Sequence, residues 1–223
     1  MRNTKIVVAL AAALLSTSAY ASFDKVAAGV NIGTQGLGIE ARTPIIENLY
    51  GRLGVNYASF KGKANNGVVD LKSKLHLLTA PVMFDYHPVD GSGFRLSAGL
   101  AYNGSYLEGK AAPTSNVTID GRTYTPAQMG SIKAKLTLGN KIAPILSIGY
   151  DSSLVSDSNW SFNAEFGAMY SGKVKMKVTA SGLLGSDAQM ISDLNRDANK
   201  GLDKAQKYLK WYPILSIGLK YKF

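Results

Sequence analysis

The sequence predicts an all-β chain that closes as an eight-stranded antiparallel up-and-down transmembrane β-barrel, with a helical segment in its last external loop. Three observations point there. In the closing stretch Tyr212 to Phe223, Leu215, Ile217, Leu219 and Tyr221 share one parity, and Ser216, Gly218, Lys220 and Lys222 share the other. That is the period of a strand with one apolar face. At the opposite end, Arg2 and Lys5, the apolar run Ile6 to Leu15 and the small-residue site Ala19-Tyr20-Ala21 form a secretory signal peptide. Between them lie seven more segments of period two, and the even total suits a closed antiparallel barrel in a membrane.

The signal assigns residues 1–21 to export and 22–223 to one barrel domain, a size that suits a single domain. No later stretch is long and apolar enough for a spanning helix. The chain has no cysteine, so disulfides and thiolate metal sites are excluded. Nothing in the sequence calls for a metal or a cofactor. The net charge of +10 would suit an anionic partner. Export argues against nucleic acid and for the phosphates of lipopolysaccharide.

The segments follow in order. Val30 and Ile32 oppose Gly29 and Asn31, and a tight turn near Gln35 and Gly36 leads to Leu37, Ile39 and Ala41 opposite Glu40 and Arg42. The third sets Leu53, Val55 and Tyr57 against Arg52, Gly54 and Asn56. The fourth sets Leu78, Val82 and Phe84 against Thr79, Met83 and Asp85. The fifth, Phe94 to Asn103, alternates throughout. The sixth reads as one strand with Ile132, Ala134, Leu136, Leu138, Ile142, Leu146 and Ile148 on the lipid side. The seventh sets Trp160, Phe162 and Phe166 against Asn163 and Glu165. Aromatic residues near segment ends, with a small or polar opposite set, describe a girdled lipid face around a polar interior, the reverse of a soluble calyx.

The hexapeptide Pro144-Ile145-Leu146-Ser147-Ile148-Gly149 recurs as Pro213-Ile214-Leu215-Ser216-Ile217-Gly218, on two strands expected to run in the same direction. A barrel offers proline no edge strand, so a bulge or register break is expected at Pro144 and Pro81, with Pro213 at the outer rim. Connections on the periplasmic side (44–48, 87–93, 151–159) are short. Two of those on the outer side (61–67, 108–131, 176–210) are long, the asymmetry of outer-membrane barrels.

Glu40, Arg42, Arg52, Asp85, Arg95, Lys141 and Glu165 carry the charges expected inside the lumen. Eight strands leave room only for packed side chains, and buried charges need partners. Either a structural network or a gated polar path follows. In the last external loop, Ile191, Leu194, Ala198, Leu202, Ala205 and Leu209 recur at helical spacing, which predicts an amphipathic helix over 187–209, weakened at Gly201. Its Lys200, Lys204 and Lys207, with Lys210, are candidate lipopolysaccharide contacts, or else a solvated face. Catalysis has little support. His87 falls in a periplasmic turn, and His76, near Ser73, lacks an organised partner.

The ending with Tyr221 and Phe223 resembles the C-terminal assembly signal of Gram-negative outer-membrane barrels, which implies recognition by the barrel assembly machinery. Through Gly36 to Tyr57, Gly93 to Tyr102 and Trp211 to Ser216, the chain resembles small eight-stranded OmpW-like and OmpA-transmembrane-like proteins. The resemblance implies a multi-pass outer-membrane protein, a monomer among outer-membrane lipids, with no catalytic motif. Its implied roles are structural or surface-interacting with minor solute permeability, or else a channel for small hydrophobic molecules. A lipid A-modifying enzyme is the remaining alternative.

Overall fold

The computed structural model describes residues 26–65, 69–113, 115–119, 121–182 and 187–223; the expected signal peptide lies outside them. The first strands are β1 (Ala27–Gly33), β2 (Gly36–Ile46), β3 (Leu49–Asn65), β4 (Val69–Tyr86) and β5 (Phe94–Asn103). The outer region adds β6 (Tyr106–Pro113), the hairpin β7 (Val117–Ile119) and β8 (Arg122–Tyr124), helix α1 (Pro126–Met129) and β9 (Ile132–Thr137). Next come β10 (Ile142–Asp151), β11 (Trp160–Tyr170) and β12 (Lys175–Ala180). Helix α2 (Ala188–Leu209) and β13 (Trp211–Lys222) complete the chain.

Eight of these strands close a barrel in the order β1-β2-β3-β4-β5-β10-β11-β13, every neighbour antiparallel. The seam is the pairing of Ala27 with Lys222 through Gly33 with Ser216. The wall is inverted relative to a soluble barrel: Leu146 and Leu37 are 68% and 66% exposed, whereas Asp85 and Arg95 are 0%. Water would penalise that outward face, and hydrocarbon would not. Aromatic pairs mark its two borders. Trp160–Tyr221 and Tyr221–Phe223 lie at the short-turn end, and Tyr170–Trp211 and Tyr57–His76 at the other. From Trp160 to Tyr170, a strand tilted as in such barrels climbs roughly 25 Å, the height of a bilayer's apolar band.

Beyond the upper border the wall continues on one side only. β3 and β4 run on past the barrel in unbroken register, and β4 pairs with β6, β6 with β9, and β9 with β12. Stretches expected as external loops are thus partly strand. The expected sixth strand divides into β9 and β10, with Gly139 at φ 86° between them. Parity reverses at that break, so Ile132 and Ala134 pack inward, against the cluster of Tyr124, Val178, Ile191 and Ala198, and do not face lipid. Helix α2, which runs through Gly201, lies along β12. Asn195 accepts from the Val178 N–H at 3.0 Å and donates to the Val178 carbonyl at 3.2 Å, closing a sheet edge that would otherwise be bare.

On the opposite side the wall is low, because β1 and β2 join through Thr34 and Gln35, with Gly36 at φ 104°. Prolines behave differently from expectation. The register does not shift at Pro144 or Pro81, although the β3–β4 pairing lapses opposite Pro81 and Ala80, and the shift falls instead between Pro44 and Ile46. Pro144 sits one residue outside the span paired with β11. Pro213 lies above the top of β1, where no strand needs its missing N–H; its carbonyl accepts from Thr34 Oγ1 at 2.9 Å.

Candidate functional site

Alternation along β2, β3, β4, β5 and β11 turns Glu40, Arg52, Asp85, Arg95 and Glu165 into one cross-section of the lumen. Arg52 is its centre. Its Nε and Nη2 donate to the two oxygens of Asp85 at 2.9 and 3.2 Å. Nη1 and Nη2 donate to Glu165 at 2.8 and 3.1 Å, and Nη1 also to Glu40 at 3.4 Å. All five guanidinium N–H groups are used, in the paired-fork geometry that makes arginine–carboxylate contacts strong. Arg95 donates to the same Asp85 and Glu165 at 2.8 and 3.1 Å. Ser147 Oγ donates to Glu165 at 2.6 Å, and Asn163 donates to Glu40 at 3.2 Å.

A second tier lies nearer the short turns. Asp151, at the end of β10, accepts from Arg42 at 2.6 Å and from Lys220 at 2.7 Å. Lys220 reaches up to Glu40 at 3.1 Å, so Glu40 joins the tiers. Arg42 also stacks over the Tyr50 ring at 3.8 Å and donates to His87 Nε2. An accepting Nε2 requires neutral His87 with its proton on Nδ1. Burial, and then the neighbouring Arg42, push this turn histidine down to about 4. Four carboxylates and four cations balance within the wall, all buried.

These layers leave little space. A cavity of about 30 Å³ sits between Arg52 and the β1–β2 turn, lined by Glu40, Asn56, Met83 and Glu165, room for about one or two waters.

Five of the seven charges placed in the lumen by parity are thus in contact with one another, and a sixth, Arg42, joins them through Asp151 and Lys220. Lys141 is a correction. It lies in the break between β9 and β10, where alternation lapses, and it is exposed beside Tyr102 and Tyr106 at the upper border. Three members escaped the sequence reading. Asp151 and His87 sit at strand ends that read as turns, and the partners of Lys220 depend on barrel shear. His76 is on the lipid side, between Tyr57 and Tyr106. Lys200 is exposed and Lys210 half-buried; the side chains of Lys204 and Lys207 lie outside the described residues. Tyr221 and Phe223 face outward, and the Phe223 N–H donates to the Val26 carbonyl at 3.1 Å. Among the described residues no cluster of histidine and carboxylate side chains could hold a metal.

Together, a closed eight-stranded wall, an apolar exterior with aromatic borders and a charged, filled interior define a small β-barrel of the outer-membrane type. Among solved structures, the chain is similar to crystal structures of CarO2 and CarO from Acinetobacter baumannii. Identity is 22% and 20%, the TM-score is 0.56 for both, and the match covers 89% of this chain and 98% of each of those. At that identity the likeness shows the fold. No family model matches the chain, and no curated protein matches it in sequence.

Proposed function

We propose that the protein is a non-enzymatic outer-membrane barrel with a plugged lumen, serving a structural or surface-interaction role with at most minor permeability to small solutes. The observation that carries this reading is the Arg52 cross-section, where bidentate ion pairs occupy the bore and the cavity between them and the β1–β2 turn holds only about 30 Å³. Buried charges paired in this way hold a section rigid. Tyr221 and Phe223, outward on the last strand, are available to the assembly machinery, and the protein acts as a monomer among outer-membrane lipids. His76, wedged between tyrosine rings, has no arrangement suited to lipid A chemistry; His76→Ala would leave lipid A unchanged on overexpression. Planar-bilayer recording tests the plug. The expected trace shows no stable channel, and stable, ligand-blockable openings would overturn it.

One observation favours a second reading, a site for small hydrophobic molecules. Above the plug, the inward faces of the outer strands are apolar, and Phe60 and Leu107 are 62% and 39% exposed there. A hydrophobic fluorophore displaced by alkanes from wild type but not from Phe60→Ser would support it.

A further inference from the structure

The outward face of the one-sided wall above the upper border carries a dense set of exposed lysines. Five strands bring lysines into two rows. In the lower, Lys61, Lys74, Glu108, Lys135 and Lys177 are consecutive cross-strand partners. In the upper, Lys63, Lys72, Lys110 and Lys133 are paired in the same way, ending at Thr179. Lys175 stands one step below, at the end of the row that holds His76 and Tyr106. All of these lysines are exposed except Lys74, which is half-buried.

Their direction follows from the unbroken register. Along β3, Tyr57 faces the lipid side, and Lys61 and Lys63 continue its parity. Along β4, Leu78, His76, Lys74 and Lys72 do the same. The alternate residues, Leu75, Leu107 and Leu136, face the axis. The rows therefore point sideways from the barrel, at whatever lies beside it, and not up into the mouth. They begin just above the Tyr57–His76–Tyr106 stack. Each successive row lies about 5 Å higher on a tilted strand, within the depth of lipid headgroups.

Like charges directly opposite each other destabilise a sheet. Here Lys61 opposes Lys74, Lys63 opposes Lys72, Lys72 opposes Lys110, Lys110 opposes Lys133 and Lys135 opposes Lys177. Within these two rows Glu108 is the one carboxylate, and it lies 3.9 Å from Lys133; Asp70 holds the same parity on β4, one row higher. The same chain pairs every lumen charge with its opposite, so the imbalance outside is specific to this face. We propose that the two lysine rows are a docking surface for the phosphate groups of the outer-leaflet glycolipid, lipopolysaccharide. Neighbouring strands about 4.8 Å apart let two ammonium groups share one phosphate. This surface, more than the α2 lysines, would then hold the lipid. The inference rests on the outer-membrane reading above.

The test uses the full chain reconstituted in phosphatidylcholine vesicles containing none or a tenth of bisphosphorylated lipid A, dephosphorylated lipid A or phosphatidylglycerol. Inorganic phosphate in solution forms a separate arm. Bound lipid is read by native mass spectrometry and by its salt dependence. Wild type should retain bisphosphorylated lipid A over its dephosphorylated form, and free phosphate should not displace it at equal concentration. The variant Lys74→Gln/Lys110→Gln/Lys133→Gln/Lys135→Gln should lose about fivefold in affinity per lysine removed. Lys200→Gln/Lys210→Gln should bind like wild type. Equal retention by the fourfold variant, equal retention of the dephosphorylated lipid, or displacement by free phosphate would each overturn the proposal. A chain that inserts, shown by heat-modifiable mobility, but fails the lysine test refutes only the docking surface. A chain that never inserts refutes the barrel reading itself.

Discussion

Replacing Arg52 by alanine is the most informative single perturbation of the lumen. The guanidinium makes five hydrogen bonds to three carboxylates. Its loss leaves each of those carboxylates one cation. Asp85 and Glu165 retain Arg95 at 2.8 and 3.1 Å, and Glu40 retains Lys220 at 3.1 Å. Breaking a buried ion pair costs about 3–5 kcal/mol when it strands a bare charge. Because no carboxylate is stranded here, the expected cost is at the lower end, about 3 kcal/mol. The section is left with one excess negative charge, and the space of the side chain opens into the cavity that Arg52 lines. The assay is urea unfolding in lipid vesicles, followed by gel mobility, with planar-bilayer recording of the same preparations. A lowered midpoint together with a small cation-selective conductance is expected. Arg52→Lys should recover the charge but not the forked geometry, and so fall between. If Arg52→Ala unfolds within about 0.5 kcal/mol of wild type, the level of an ordinary surface substitution, the plug does not depend on this residue and the reasoning fails.

Other expectations follow from the same geometry. Lys220→Met should cost about 3 kcal/mol because it releases Asp151 and Glu40 together, whereas Lys141→Met should stay within about 0.5 kcal/mol; urea midpoints compare them directly. For His87, the folded protein resists a proton that the unfolded chain accepts near 6.5, so its contribution is complete above that pH. It is lost as pH falls from about 6.5 towards about 4, by an amount of up to about 3 kcal/mol. Subtracting the urea midpoints of His87→Gln from those of wild type across this window isolates it, and parallel curves would contradict the assignment. Asn195→Ala removes both bonds to the β12 edge and should raise hydrogen exchange at the Val178 amide without changing exchange in β1. Thr34→Val, which loses the bonds to Pro213 and Leu215, should lower the stability read from the urea midpoint by about 1 kcal/mol.

Much of the fold was legible because a strand's period is two and the lipid demands one apolar face. That logic put Glu40, Arg42, Arg52, Asp85, Arg95 and Glu165 on the inner parity. It failed wherever parity stopped meaning face. The reversal between β9 and β10 moved Lys141 out of the lumen and turned Ile132 and Ala134 inward. Asp151 was hidden by its position at a strand end, where its Oδ1 accepts from the Ser153 N–H at 3.0 Å while Oδ2 meets Arg42 and Lys220. No local pattern reports that Lys220 on the last strand touches Glu40 on the second. That contact exists only once the barrel closes with a particular shear.

The same two strands also explain why the outer region was misread as loop. Along β3 and β4 the backbone register does not change from Tyr50 with Asp85 to Lys63 with Lys72, yet both faces exchange chemistry midway. Below Tyr57 and Leu78 the outward side chains are apolar and the inward ones polar. Above them, the outward side chains are lysines and the inward ones are Phe60, Leu75 and Leu77. A uniform barrel template takes that exchange for the end of a strand. Physically it marks a change of surroundings: an apolar exterior over ion pairs gives way to a lysine-rich exterior over an apolar inner face that is partly open at Phe60. One continuous pair of strands therefore serves two environments, and on the outer-membrane reading proposed above, the level at which their faces exchange, at Ser59 and His76, is the upper boundary of the membrane.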